Sequence, residues 1–227
     1  MVTTEQTNVA KSRFRDAPFF NEASNLEVFV GGAGGIGSWL ILYLSRIVKT
    51  INVYDYDKVE KVNLAGQLFR HSDVGNSKVG AIALAGREYG DAYINIYPFK
   101  IEPHTEVPEA YVFSAFDNMT ARKDLFEIWK QNSDRKLFID ARLLADQYEV
   151  YFVQKGMEEA YEATLFSDEE VEEVACTFKQ TTHFAAICAG RMVHGFTNYL
   201  SQHMLYKMPF KVIEEGNLFL NEVSYAD

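Results

Sequence analysis

The sequence predicts an α/β fold, a doubly wound and mostly parallel sheet with antiparallel strands added in its C-terminal half. Three observations carry that reading. Short apolar runs rich in β-branched and aromatic residues alternate with stretches of helical period, the pattern of a parallel sheet flanked by helices. The first run, VFVG, ends in the glycine turn Gly32-Ala33-Gly34-Gly35-Ile36-Gly37 and passes straight into a helical pattern. The second, INVY, ends in acid at Asp55-Tyr56-Asp57. Together these make the opening unit of a Rossmann-like nucleotide fold.

Taken in order, residues 1–25 show little periodicity and read as an N-terminal arm, with Arg13 and Arg15 in SRFRD ahead of Pro18. A strand follows at 27–31 and a helix at 35–48, whose Ile36, Leu40, Tyr43, Leu44 and Ile47 recur at helical spacing as the face toward the sheet. Gly32 suits the tight turn, Gly34 lets a pyrophosphate approach the backbone, and Gly37 allows close packing of helix on strand. The helix start adds unpaired N–H groups and a positive dipole end, which favour an anion.

The second strand spans 51–55, and Asp55 at its end stands where such units carry a ribose-binding carboxylate. Residues 57–78 are too polar and broken for one regular element, and a helix then runs to about Tyr89. Further strands are expected at 92–97, 110–116 and 136–140, with a helix at 119–132 between the last two. The fourth strand delivers Asp117-Asn118 to its carboxyl end, the side on which open α/β sheets bind ligands, though either residue also suits the cap of the next helix.

The run 147–154 follows too closely for a helical crossover, so it should pair antiparallel. Residues 155–175 crowd Glu and Asp into what reads as a solvated loop. A core helix is expected at 182–203, with Phe184, Ile187, Cys188, Val193, Phe196 and Leu200 as its stripe and Gly190 and Gly195 permitting close approach. Two strands around 215–217 complete the chain. One domain, residues 1–227, is the simplest division.

The totals exclude several classes of function. A formal net charge of -10 argues against nucleic acid, whose binding needs clustered Lys and Arg. No run of roughly 18 or more uncharged apolar residues occurs, so no membrane span is expected, and the N-terminus lacks a signal-peptide core; the expected location is the cytoplasm. Two cysteines, Cys176 and Cys188, are too few for a disulfide framework or a four-thiolate zinc site. His183 and His194, on a largely apolar helix, read as structural groups rather than metal ligands.

A lone glycine fingerprint with a downstream acid usually marks an NAD-linked oxidoreductase. Here it is followed by Asn63-Leu64, Gln67, Gly75-Asn76-Ser77-Lys78 and Asp117-Asn118-x-x-x-Arg122. That order resembles the nucleotide site of the ThiF/MoeB/HesA family, the ubiquitin-activating-enzyme-like adenylyltransferases, over residues 28–142 and more loosely beyond. The resemblance implies an enzyme that binds ATP and Mg²⁺ and adenylates the C-terminal carboxylate of a small ubiquitin-like or sulfur-carrier protein or peptide. It implies that Gly32, Gly34, Gly35 and Gly37 cradle phosphate, that Asp55 holds the ribose, and that Asn63 and Gln67 make polar contacts near the phosphates. Lys78 is then the phosphate-neutralising cation and Asp117 the Mg²⁺ ligand. Asp140 and Arg142 match a further family element and also suit a brace within the sheet.

Two features depart from the pattern. The family's Asn-Leu-x-Arg-Gln reads NLAGQ here, with Gly66 at the arginine position and Arg70 the nearest substitute. The family also takes an arginine from its partner subunit's N-terminal segment, for which Arg15 is the counterpart, and this implies a homodimer. Cys176 sits where the sulfur-carrier branch has a cysteine before its long C-terminal helix, and could accept the acyl group or take part in sulfur transfer; a small buried cysteine is the alternative. Cys188 reads as packing. A catalytically weakened scaffold paired with an active subunit is the competing reading, motivated by Gly66.

Overall fold

The computed structural model describes residues 16–144, 147–167, 182–201, 209–215 and 221–224. A helical turn α1 (Phe20–Ala23) precedes strand β1 (Glu27–Gly31), helix α2 (Gly35–Leu44) and strand β2 (Thr50–Tyr54). Helix α3 (Lys78–Tyr89), strand β3 (Tyr93–Tyr97), strand β4 (Tyr111–Ser114), helix α4 (Met119–Gln131) and strand β5 (Leu137–Leu144) follow. Then come strand β6 (Gln147–Gln154), helix α5 (Glu158–Glu162), helix α6 (Thr182–Leu200) and strands β7 (Lys211–Glu215) and β8 (Asn221–Ser224).

All eight strands form one sheet in the order β3-β2-β1-β4-β5-β6-β7-β8. The first five pair in parallel, and β6, β7 and β8 add antiparallel. The chain order reverses between β1 and β4, and such a switch point opens a crevice beyond the carboxyl ends of the strands. Period-2 alternation divides the core between the two faces. Val28, Val30, Tyr111, Phe113, Leu137, Ile139, Val150 and Phe152 face the layer of α2, α3 and α6, whereas Phe29, Val112, Phe138, Tyr151 and Val153 face Leu125, Phe126 and Trp129 of α4.

The expected elements are present, with corrected limits. Helix α2 stops at Leu44, and residues 45–48 turn back through the amides of Ile47 and Val48 onto the Leu44 carbonyl. Strand β5 runs beyond residue 140 to Leu144 because β6 pairs with its whole length. The acidic stretch is not all loop, since residues 158–162 form α5, which buries Tyr161 against Phe126 and Phe138. On α6, Ile187 is exposed instead of lying on the stripe; Ala185, Cys188, Ala189, Met192, Gly195, Phe196 and Leu200 are the buried residues. A side chain at Gly195 would strike the Phe152 ring, 2.0 Å from the Cβ position, whereas Gly190 faces open space. His183 and His194 are exposed.

Candidate nucleotide site

The glycine turn is built by backbone geometry. Gly32 has φ +93°, the left-handed region that side chains disfavour, and a Cβ there would lie 2.7 Å from the Ala115 carbonyl oxygen. A Cβ on Gly37 would lie 2.0 Å from the Gly32 carbonyl oxygen, so glycine alone lets α2 start against the turn. At Gly34 the reverse holds: the nearest atom to an added Cβ is Gln67 Nε2 at 3.9 Å, so the backbone is open on that side. No side chain caps the N-terminus of α2.

Asp55, directly after β2, is tied to this turn. Its Oδ2 accepts from the Ala33 amide at 2.8 Å and its Oδ1 from the Asp57 amide at 2.8 Å. Burial lifts its carboxyl above the ordinary value, against the opposing pull of those amides and of the Lys78 charge. The 57–78 segment leaves and returns at one point, where Lys58 bridges Ser77 and the Lys78 amide donates to the Asp57 carbonyl at 2.9 Å. Ser77 caps α3 by accepting from the Gly80 amide, and Lys78, the first residue of the helix, is buried with its ammonium 2.8 Å from Asp57 Oδ2.

Within the segment, two 3₁₀ turns, Lys61–Ala65 and His71–Asp73, break the regular pattern. Asn63 uses its carboxamide oxygen locally, accepting from the Glu60 amide at 2.8 Å. Gln67 points its amide nitrogen toward the Gly34 position, and its Oε1 is buried with no hydrogen-bond partner among the described residues. Ser38 of α2 fixes the next residue, accepting from the Leu68 amide at 3.0 Å. Gly66 is buried, and the Thr182 hydroxyl at the start of α6 donates to the adjacent Ala65 carbonyl. Arg70 does not substitute for the absent arginine, because its guanidinium pairs with Glu88 of α3 at 2.5 Å on the exposed surface.

Across the switch point, β4 ends against the glycine turn through the Ala115 amide, which donates to the Gly31 carbonyl at 2.8 Å. The next residues divide their work. Asn118 caps α4, accepting from the Ala121 amide at 2.8 Å, while Asp117 remains exposed. Beneath them, Arg122 donates to the Phe116 carbonyl at 2.6 Å and to the fully buried Asp140, which also pairs with Arg142. A cleft of about 360 Å³ lies between these elements, lined among others by Asp55, Asp57, Lys100, Phe116, Asp117 and Asp124. The structure thus brings Asp55 and Asp117 to one cleft, whose lining does not include Lys78, Asn63, Gln67 or the glycines; Lys78 is joined to it through Asp57. Arg15 and Cys176 lie outside the described residues, while Cys188 is buried in the core.

A family model, ThiF family, matches residues 6–223. The chain belongs to the ThiF family. Among solved structures, PaaA superposes with a TM-score of 0.74 at 18% identity, covering 99% of this chain and 75% of that one. E. coli MccB with ATP gives 0.70 at 12% identity, covering 92% and 66%. The MccB complex with AMPCPP and SeMet MccA gives 0.70 at 12%, with the same coverage. At these identities the likeness is one of fold, and the chain spans about two thirds of the MccB chains' length. No curated protein matches in sequence.

The ThiF assignment makes the arrangement chemically readable. The residues present fit a nucleotide with a divalent cation on two observations: an open backbone at Gly34 with the Gln67 amide nitrogen, a donor, 3.9 Å from its Cβ position, and an exposed Asp117 carboxylate after β4. Two contributors escaped the sequence reading. Asp57 stood in the motif without a role, although its spacing of two from Asp55 was a usable signal. Lys100, whose ammonium lies 4.7 Å from the Tyr56 ring centroid, gave no signal, because only the sheet order carries the end of β3 to this cleft.

Proposed function

We propose that this protein uses ATP and Mg²⁺ to adenylate the C-terminal carboxylate of a peptide or small ubiquitin-like or sulfur-carrier protein, through the single domain formed by the chain. The observation that supports this best is that Asp55, Asp57 and Asp117 line one cleft, with Asp55 bonded to the glycine turn through the Ala33 amide and Asp57 paired with Lys78. A hydride-transfer enzyme would share the use of Asp55 but needs neither Lys78 nor Asp117. In the proposed step a carboxylate oxygen attacks the α-phosphorus of ATP. The bond from that phosphorus to the bridging oxygen breaks, its electron pair leaves on pyrophosphate, and an acyl adenylate remains.

Each residue meets a demand of that step. Two anions must be held together, and charge developing on the leaving group must be neutralised. The amides of the α2 start and Gln67 would hold phosphate oxygens, Lys78 would face the leaving charge, and Asp55 would accept from the ribose hydroxyls. Asp117 would hold Mg²⁺, which when bound spreads the triphosphate charge and orients it. With Asp55, Asp57, Asp117 and Asp124 on its walls, the cleft repels a bare polyanion, and a divalent cation meets that electrostatic demand.

Pyrophosphate exchange tests the reading. Labelled pyrophosphate should enter ATP only when a carrier with a free C-terminal carboxylate is present, and Asp117→Ala should abolish it. Robust exchange in that variant would remove Asp117 from the reaction. Cys176 as acyl acceptor, and Arg15 reaching across a homodimer, belong to the same proposal on the family resemblance alone. The scaffold reading is favoured by one observation: the place of the family arginine is held by Gly66, and Arg70 is engaged with Glu88. Failure to bind Mg-ATP at millimolar concentration would select it.

A further inference from the structure

We propose that Asp57 is a counter-ion for Lys78 and couples nucleotide binding to metal binding; the proposal rests on the ATP reading above. Asp57 is held at three atoms. Its amide donates to Asp55 Oδ1 at 2.8 Å, its carbonyl accepts from the Lys78 amide at 2.9 Å, and its carboxylate takes the Lys78 ammonium at 2.8 Å. The pair is lopsided in exposure, with the lysine side chain 9% exposed and the aspartate 43%. Packing around the Lys78 stem leaves the ammonium little freedom, so it can serve a phosphate only by turning locally away from Asp57.

The consequence is an exchange of partners. When a triphosphate settles over the glycine turn, Lys78 moves its charge from Asp57 to a phosphate oxygen. The Asp57 carboxylate is then left in the cleft with Asp55, Asp117 and Asp124 and facing a polyanion. That state is unfavourable until a divalent cation enters, so metal and nucleotide bind with positive linkage. Asp57 is a positioning residue in this scheme. It restrains Lys78 in the free protein and makes occupancy depend on the metal–nucleotide complex instead of on free ATP.

A double-mutant cycle read by calorimetry tests this, with AMPCPP titrated in chelator and in excess Mg²⁺. Asp57→Asn should tighten metal-free binding about threefold to fivefold, the effect of removing a half-exposed competing ion pair, and should reduce the gain from Mg²⁺ correspondingly. Asp124→Asn removes the same charge from the same cleft away from Lys78, so it measures the general electrostatic effect and should do less. In a Lys78→Met background, Asp57→Asn should fall to the Asp124→Asn level, and Asp57→Glu should restore the wild-type metal dependence. Equal effects of Asp57→Asn and Asp124→Asn, or an Asp57 effect that survives Lys78→Met, would overturn the proposal. Asp57→Ser serves if the asparagine variant is unstable. Wild-type protein that binds no nucleotide under either condition refutes the ATP reading instead, so the two failures are distinct.

Discussion

Removing the Asp140 carboxylate should damage this protein more than any exposed charge change, and the reason can be worked from its contacts. Asp140 is completely buried and bonds two guanidinium groups, Arg122 through Oδ1 and Arg142 through Oδ2 at 3.1 Å. Among the described residues, Arg122 otherwise has the neutral carbonyls of Ala141 at 3.0 Å and Phe116 at 2.6 Å. Arg142 has both acceptors of Thr164, each at 2.9 Å, and the Tyr151 ring 4.4 Å away. Asp140→Ala would leave one buried and one partly buried cation against neutral partners, and breaking one buried pair costs about 3–5 kcal/mol. Against a typical total of about 5–15 kcal/mol, that is roughly a fifth or more of the stability. Urea unfolding of the ligand-free protein should show a lower midpoint with an unchanged slope. Because Arg122 also fixes the carbonyl just before Asp117, ATP affinity should fall in protein that is still folded. A loss under about 1 kcal/mol, the range of exposed pairs, would show that water reaches the triad and would refute this account.

Other perturbations have equally definite outcomes. Gly37→Ala places a Cβ 2.0 Å from the backbone oxygen of Gly32, which no rotamer change relieves; it should cost more than the roughly 1–3 kcal/mol of ordinary overpacking and weaken nucleotide binding, both checked by unfolding and titration. Asn118→Ala removes the cap of α4 and should lower stability by about 1 kcal/mol in the same unfolding assay. Burial raises the Asp55 carboxyl, and the ionised form is the better acceptor for ribose hydroxyls. Nucleotide affinity should therefore begin to fall on acidification above the ordinary aspartate range, a decline that Asp55→Asn flattens. The raised value also means that this group's contribution to stability is present below its unfolded pKa and lost as pH rises through its folded one, a trend that chemical unfolding across pH would detect.

The order of elements was legible because each strand and helix carries its own period, and because the antiparallel turn at β6 follows from a connection too short to cross. The roles of the glycines were legible for a related reason: a positive φ at Gly32 and a backbone contact at Gly37 are demands that one residue type meets. What escaped was whatever depends on who stands opposite. Ile187 reads as a core residue by spacing, but the neighbours that cover α6 leave it outside. Asn52 carries no signal in the sequence, yet within β2 it is buried, donating to Glu109 and accepting from Asn95 at 2.8 Å on β3. Arg70 shows the same limit. Its distance along the chain from Gly66 made it the nearest replacement cation, and only the placement of Glu88 on α3 reveals that its charge is already engaged.

That engagement bears on what the site can do. A triphosphate needs cationic partners, and among the described residues the cleft is lined by Lys100, resting near Tyr56, while Lys78 is joined to it through Asp57. Neither Arg70 nor the guanidinium groups of Arg122 and Arg142 can contribute, since the first is turned outward and the others are held by Asp140. On the proposed ATP reading, a site so short of mobile positive charge would draw neutralisation from elsewhere, by a divalent cation on its carboxylates or by an arginine delivered from a second chain. The two sources are separable by salt and by metal. Cation rescue should follow Mg²⁺ concentration at constant ionic strength, whereas a contribution from a second chain should follow protein concentration. If ATP affinity responds to neither, the cleft is not the place where the phosphates lie.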